Sequence, residues 1–135
     1  MSSETIMSDD LARRGISSVV SRYAVAESAE RVVAALRARG LTVFAVIDQS
    51  LEAEKAGLTL RPTRMILFGD PKTGTPLMAA APSLAIDLPL KALVWQDDGG
   101  CVLVSYNSPE YLQRRHGLSH EPFTATGAIL AQALA

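Results

Sequence analysis

The sequence has few of the residues that usually announce a chemistry. It holds one cysteine, Cys101, and two histidines, His116 and His120, in 135 residues. A single cysteine excludes an internal disulfide and any multi-cysteine metal cluster. Cys101 opens a strand candidate, where cysteine behaves as a small hydrophobe. Aromatic residues make up only 5%, so Val, Leu, Ile and Ala must fill the core. Thirteen basic residues against fourteen acidic ones leave a net charge of −1. That balance offers no basic face of the kind a phosphate backbone requires, and no nucleic-acid partner is expected. Arg31, Arg37 and Arg39 lie in a helix candidate and read as its solvated face. Long apolar runs are missing too. The most apolar stretch, Pro76 to Trp95, is interrupted by Pro82, Asp87, Pro89 and Lys91, which is too broken to span a bilayer. The N-terminus lacks the basic start and apolar run of a signal peptide. The expectation is a cytoplasmic protein with no membrane partner. No Gly-x-Ser-x-Gly, His-Glu-x-x-His or Cys-x-x-Cys occurs, so no motif names a nucleophile or metal site. Catalytic groups meet in space rather than in sequence, which leaves enzymatic activity open.

What is present is an ordinary globular composition, 48% apolar and 20% charged, in a length that suits one domain. Residues 1–14 read as a flexible N-terminal segment. Ile16 to Val25 reads as a first strand. Glu27 to Arg39 carries Ala29, Val32, Val33 and Leu36 at helical spacing, with acids in its first turn, bases in its last and Gly40 to end it. Leu41 to Asp48 follows as a strand apolar on both faces. Ser50 caps a short helix ending at Gly57, after which Leu58 and Leu60 should tuck back onto the body. Met65 to Phe68 reads as a strand buried on both faces. Leu90 to Gln96 and Cys101 to Tyr106 flank Asp97-Asp98-Gly99-Gly100, a hairpin signal. Helices are expected from Pro109 to His116 and from Glu121 onward, the latter with Phe123, Ile129, Leu130 and Leu134 on its apolar face.

The stretch Gly69 to Trp95 organises the rest, with four of the seven prolines. Gly69 and Gly74 have the spacing of a phosphate-binding loop. The lysine that should follow is replaced by Thr75-Pro76, so a nucleotide triphosphatase is excluded. A weaker reading keeps Gly69, Lys72, Thr73, Gly74 and Thr75 as a loop before a helix start, able to hold a small anion or carboxylate. The competing reading makes Thr75 the cap of a helix whose first residue is Pro76. Asp87 sits in an apolar run and needs a partner. Lys91, across Pro89, is the nearest cation in sequence. The pair reads either as a structural anchor or as a general base with its electrostatic partner. Tyr106 and Asn107 could line a pocket, whereas Asn107 or Ser108 could instead cap the helix after Pro109. His116 and His120 are four apart, but Gly117 between them ends the helix, so no metal site is read there.

Several of these stretches together resemble one family. Phe68-Gly-Asp-Pro-Lys-Thr-Gly-Thr-Pro-Leu-Met, Ile86-Asp-Leu-Pro-Leu-Lys, Ser105-Tyr-Asn-Ser-Pro and Tyr111-Leu followed by Arg115-His116-Gly117-Leu118 are similar to the prokaryotic family catalogued as domain of unknown function 302. Gly40-Leu-Thr-Val-Phe, Ala53 to Gly57 and Leu60-Arg-Pro-Thr add to it. The resemblance covers about residues 15–118 and leaves 119–135 as a C-terminal helix whose apolar face could cover this protein's core or a second subunit. It implies an α+β domain, commonly a stand-alone bacterial or archaeal homodimer, and no settled activity, cofactor or catalytic residue. Asp70 stands where the family usually has Asn, and Gln49 where it has His.

The combined expectation is a single compact α+β domain with a mixed sheet of about five strands. Parallel pairing is expected in its first half, where strands and helices alternate. The leading functional expectation is a small-molecule or anion-binding module using the Gly69–Thr75 loop with Asp87, Lys91, Tyr106 and Asn107. No metal or cofactor is called for. The alternatives are a homodimeric interaction protein and an enzyme using Asp87 and Lys91.

Overall fold

The computed structural model describes residues 9–135. The expected flexible segment therefore lies mostly outside the described residues, and 9–13 are helical. β1 (Ile16–Ser21) leads to the long helix α1 (Val25–Ala38) and then to β2 (Thr42–Asp48). A short helix, α2 (Gln49–Lys55), precedes β3 (Thr63–Gly69). Helix α3 (Pro71–Ala80) and a 3-10 turn (Pro82–Asp87) separate β3 from β4 (Leu90–Gln96). β5 (Val102–Asn107), α4 (Pro109–His116) and α5 (Thr126–Ala133) complete the chain.

The strands form one sheet in the order β1-β5-β4-β3-β2. The α+β class and the five strands are as the sequence suggested. The mixed pairing is not, because every neighbouring pair is antiparallel. A parallel crossover needs a helix that buries a face against the sheet while the chain returns to its starting end. α2 buries none of its residues and α3 buries only Gly74. α1 does bury a face on the sheet, but the strands it joins, β1 and β2, stand at opposite edges and do not pair.

One face of the sheet carries the main core. Ile66, Phe68, Ala92, Val94 and Val104 pack with Val32 and Leu36 of α1 and Leu130 of α5, all at 0–1% exposure. The stripe read from Glu27 to Arg39 thus faces inward, although the helix begins at Val25 and has no side-chain cap. Leu103 alternates to the opposite face and is buried outside this cluster, as are Leu84 of the 3-10 turn and Leu112 of α4. Ile129 and Leu130 of α5 belong to this core.

Three burial expectations are corrected. β2 is an edge strand, and Phe44, Val46 and Ile47 are 52%, 46% and 37% exposed. Leu58 and Leu60 do not tuck back; they are 66% and 47% exposed. In β3 only Ile66 and Phe68 are buried, while Met65 and Leu67 on the other face are half-buried. Local capping also differs. Asp48, not Ser50, caps α2 by accepting from the Leu51 N–H at 2.9 Å, and Ser50 Oγ donates to the same carboxylate oxygen at 2.7 Å. The hairpin forms at the expected place. Asp97 Oδ1 accepts from the N–H groups of Gly99 and Cys101 at 2.9 and 2.8 Å and so closes the turn.

Candidate functional site

An apolar cleft of about 230 Å³ opens beside the edge of the sheet. Phe44, Gly69, Asp70, Pro71, Gly74, Thr75, Met78, Leu88, Pro89, Leu90 and Phe123 line it. Two backbone irregularities deliver its aromatic walls. The β2–β3 register shifts between Val43 and Ala45, so Phe44 stands alone at the bulge. A bulge re-aims the side chain it carries. Phe123 has φ +56°, the left-handed region that bulky residues seldom occupy. Strain of this kind persists where surrounding structure enforces it. Glycines make the room. A Cβ on Gly69 would stand 3.5 Å from the Phe44 ring, and one on Gly74 would stand 3.6 Å from Leu88 Cδ1.

The start of α3 answers the anion question. The segment from Gly69 to Thr75 is not a loop before a helix at Pro76. The helix begins at Pro71, Asp70 is its cap and Pro76 lies inside it. Asp-Pro satisfies the capping and N1 preferences as well as Thr-Pro does, and the earlier start gains a turn of helix. Asp70 Oδ1 accepts from the Lys72 N–H at 3.0 Å, and Thr73 Oγ1 donates to Oδ2 at 3.3 Å. The N–H groups of Thr73 and Gly74 both bond to the Asp70 carbonyl, at 3.0 and 2.8 Å. The donors an anion would need are taken, and a carboxylate already occupies the positive end of the helix.

Asp87 finds other partners than Lys91. Arg115 Nη1 lies 3.1 Å from Asp87 Oδ1 and 3.2 Å from Oδ2, and His116 Nε2 lies 2.5 Å from Oδ2. His116 Nδ1 in turn lies 2.7 Å from Ser83 Oγ. Lys91 Nζ donates instead to the Pro89 carbonyl at 3.0 Å. The Leu88–Pro89 peptide is cis.

Of the residues singled out from the sequence, Gly69, Gly74 and Thr75 line the cleft. Lys72, Thr73, Asp87, Lys91, Tyr106 and Asn107 are not among its walls. Tyr106 packs on α5, where a Cβ on Gly127 would come 2.5 Å from its hydroxyl. Asn107 ends β5, and the cap of α4 is Ser108, which accepts from the Tyr111 N–H at 3.1 Å. Ser105 is a strut: its Oγ accepts from Trp95 Nε1 at 2.9 Å and bonds Ser18 Oγ at 2.7 Å. Among the described residues no group of three or more His, Cys, Asp and Glu side chains could hold a metal ion. Sequence reasoning missed Phe44, Met78 and Phe123. The first looked like one residue in a covered strand, and nothing in the pattern marks a bulge.

The sheet order, the capped α3 and the cleft define a small α+β domain with an apolar recess beside its sheet. The chain belongs to the DUF302 family, a domain of unknown function, whose pattern it matches over residues 17–135. The match includes the C-terminal helix that the sequence resemblance had set apart. The fold is also that of an uncharacterized conserved DUF302 protein from Bacillus stearothermophilus, with a TM-score of 0.74, 19% identity and coverage of 89% of this chain and 95% of that one. The chain is 43% identical over 116 residues to a fluoride-specific ion channel FluC 1 of Brucella suis biovar 1, and equally to one of Brucella abortus biovar 1. The alignment covers 86% of this chain but only 46% and 43% of those relatives, so the chain spans less than half their length. Among the described residues no helix is long and apolar enough to cross a membrane.

Proposed function

We propose that this domain binds a small, mainly apolar molecule in the cleft between Phe44 and Phe123. The observation that carries the reading is that a bulge and a strained backbone, 79 residues apart in sequence, turn two rings into one recess. An engineered apolar cavity of about 150 Å³ accepts benzene, so about 230 Å³ suits a molecule with one substituted ring. Asp70 and Thr75 on the wall give it a polar end. The cleft does not suit a bare anion such as fluoride, because the neighbouring N–H donors are engaged. In the Brucella relatives, we read the shared segment as a ligand-binding domain carried within a longer chain. Thermal shift with a panel of one-ring aromatic and short aliphatic compounds tests the idea. Hits should raise the melting temperature of the wild type and lose their effect in Phe44→Ala. If no compound shifts melting, or if hits act equally on Phe44→Ala, the reading fails.

A second reading, a homodimer, is supported by the exposed apolar residues Ile47, Leu51, Leu58 and Leu60 at the end of β2, in α2 and just after it. Contiguous exposed apolar surface often marks an interface. Sedimentation at micromolar concentration should show a dimer that Leu58→Glu with Leu60→Glu dissociates. A wild-type monomer would count against it.

A further inference from the structure

The 3-10 turn and the end of α4 bring together three side chains that the cleft does not use. Ser83 lies on the exposed surface. The side chains of His116 and Asp87 behind it are 3% and 11% exposed. The hydrogen bonds run in one line, Ser83 Oγ to His116 Nδ1 at 2.7 Å and His116 Nε2 to Asp87 Oδ2 at 2.5 Å. A carboxylate can only accept, so Nε2 carries the proton. In the neutral ring Nδ1 is then the bare acceptor, and the Ser83 hydroxyl donates to it. Arg115 Nη1 lies 3.1 Å from Oδ1 of the same carboxylate.

We infer that Ser83, His116 and Asp87 form a nucleophilic site for acyl transfer from small activated esters. The three groups stand in the roles of a serine–histidine–aspartate relay, with the two imidazole nitrogens exchanged relative to the serine-protease arrangement. An exposed nucleophile backed by a buried base and a buried acid is the combination such a relay needs. Substrate reaches the oxygen at the surface, while the imidazole and carboxylate behind it are held in place by burial. The fold supplies an apolar contact as well. Residues three apart eclipse on a 3-10 turn, which places Ile86, 69% exposed, on the face that carries Ser83. An acyl group with a short apolar chain suits that neighbour.

The reaction balances within these groups. Ser83 Oγ bonds to the acyl carbon as its proton passes to His116 Nδ1. The ester C–O bond breaks, and the leaving alcohol takes that proton. Water then adds to the acyl carbon, giving its proton to Nδ1. The bond between Ser83 Oγ and the acyl carbon breaks, the carboxylic acid leaves, and the proton on Nδ1 returns to Ser83 Oγ. Ser83 and His116 are the catalytic residues. Asp87 is a positioning residue that holds the ring in the Nε2–H tautomer.

The test uses an alkyl fluorophosphonate, whose P–F bond breaks as phosphorus bonds to an activated serine, and hydrolysis of p-nitrophenyl acetate. Peptide mapping should place the fluorophosphonate adduct on Ser83. Ser83→Ala, on the exposed surface, should melt with the wild type and lose both labelling and at least tenfold of the hydrolysis. Asp87→Asn puts a donor against Nε2, which moves the ring proton to Nδ1 and removes the acceptor. Labelling of Ser83 should fall at least tenfold in that variant. Equal hydrolysis by the wild type and Ser83→Ala, or an adduct mapped elsewhere, overturns the proposal. Undiminished labelling in a folded Asp87→Asn overturns it too. Should that variant not fold, the Ser83→Ala comparison decides alone.

Discussion

Arg115 places one nitrogen, Nη1, within 3.2 Å of both carboxylate oxygens of Asp87, joining the end of α4 to the turn before β4. Asp87 is largely buried, and Arg115 is 44% exposed in its side chain. Removing a hydrogen-bonded charge costs about 1.5–3 kcal/mol, and water at the exposed partner reduces the arginine's share. Asp87→Ala should therefore destabilise by about 2 kcal/mol and Arg115→Ala by less. Urea denaturation of both variants checks the order. Equal losses would overturn this order.

Glycines with the same backbone angle should respond differently to alanine. Gly15 has φ +81°, and an added Cβ would stand 2.6 Å from the Tyr111 ring. Gly40 has φ +77° with nothing within 4 Å. Gly40→Ala should cost only the left-handed penalty of about 1 kcal/mol. Gly15→Ala adds overpacking of about 1–3 kcal/mol, and should melt well below it in parallel thermal scans.

Gly74 offers the opposite outcome. It lies inside α3, and its added Cβ would meet Leu88 Cδ1 at an ordinary 3.6 Å. Replacing an interior helical glycine by alanine gains up to about 1 kcal/mol. Gly74→Ala should raise the melting temperature by about 3 °C while narrowing the cleft. Calorimetry with and without a cleft ligand should show higher stability and weaker binding together.

The acid side of the stability profile should depend in part on Asp48. The Ser50 hydroxyl, then the Leu51 N–H, then the Arg64 charge hold its carboxyl below the ordinary 3.8. A depressed native pKa contributes stability above the unfolded value, and that contribution is lost as pH falls through the native one. Asp48→Asn should flatten the fall in stability below about pH 4, measured by denaturant unfolding across that range. Titration of Asp48 by NMR should give a midpoint under 3.8.

The sequence was most legible where a local pattern had only one way to be satisfied. The α1 stripe from Ala29 to Leu36 faces the core as its spacing required. The Asp97–Gly100 turn closes the hairpin, and Gly117 ends α4 with φ +63°. It was least legible where two local patterns competed. Asp70-Pro71 and Thr75-Pro76 are equal start signals, and the earlier one won. The Asp87–Lys91 pairing was inferred from nearness in sequence, but the carboxylate's partners come from 28 and 29 residues away.

The sequence by itself determined the single α+β domain, the family and most element positions, because hydrophobic period and turn chemistry act over a few residues. The tertiary structure alone decided that the sheet is antiparallel throughout, since that depends on α1 carrying the chain to the opposite edge and on α2 and α3 failing to bury a face. It also decided the cleft and the serine–histidine–aspartate line. Phe44 meets Phe123, and Ser83 meets His116, only when distant segments pack. No local pattern encodes such distances.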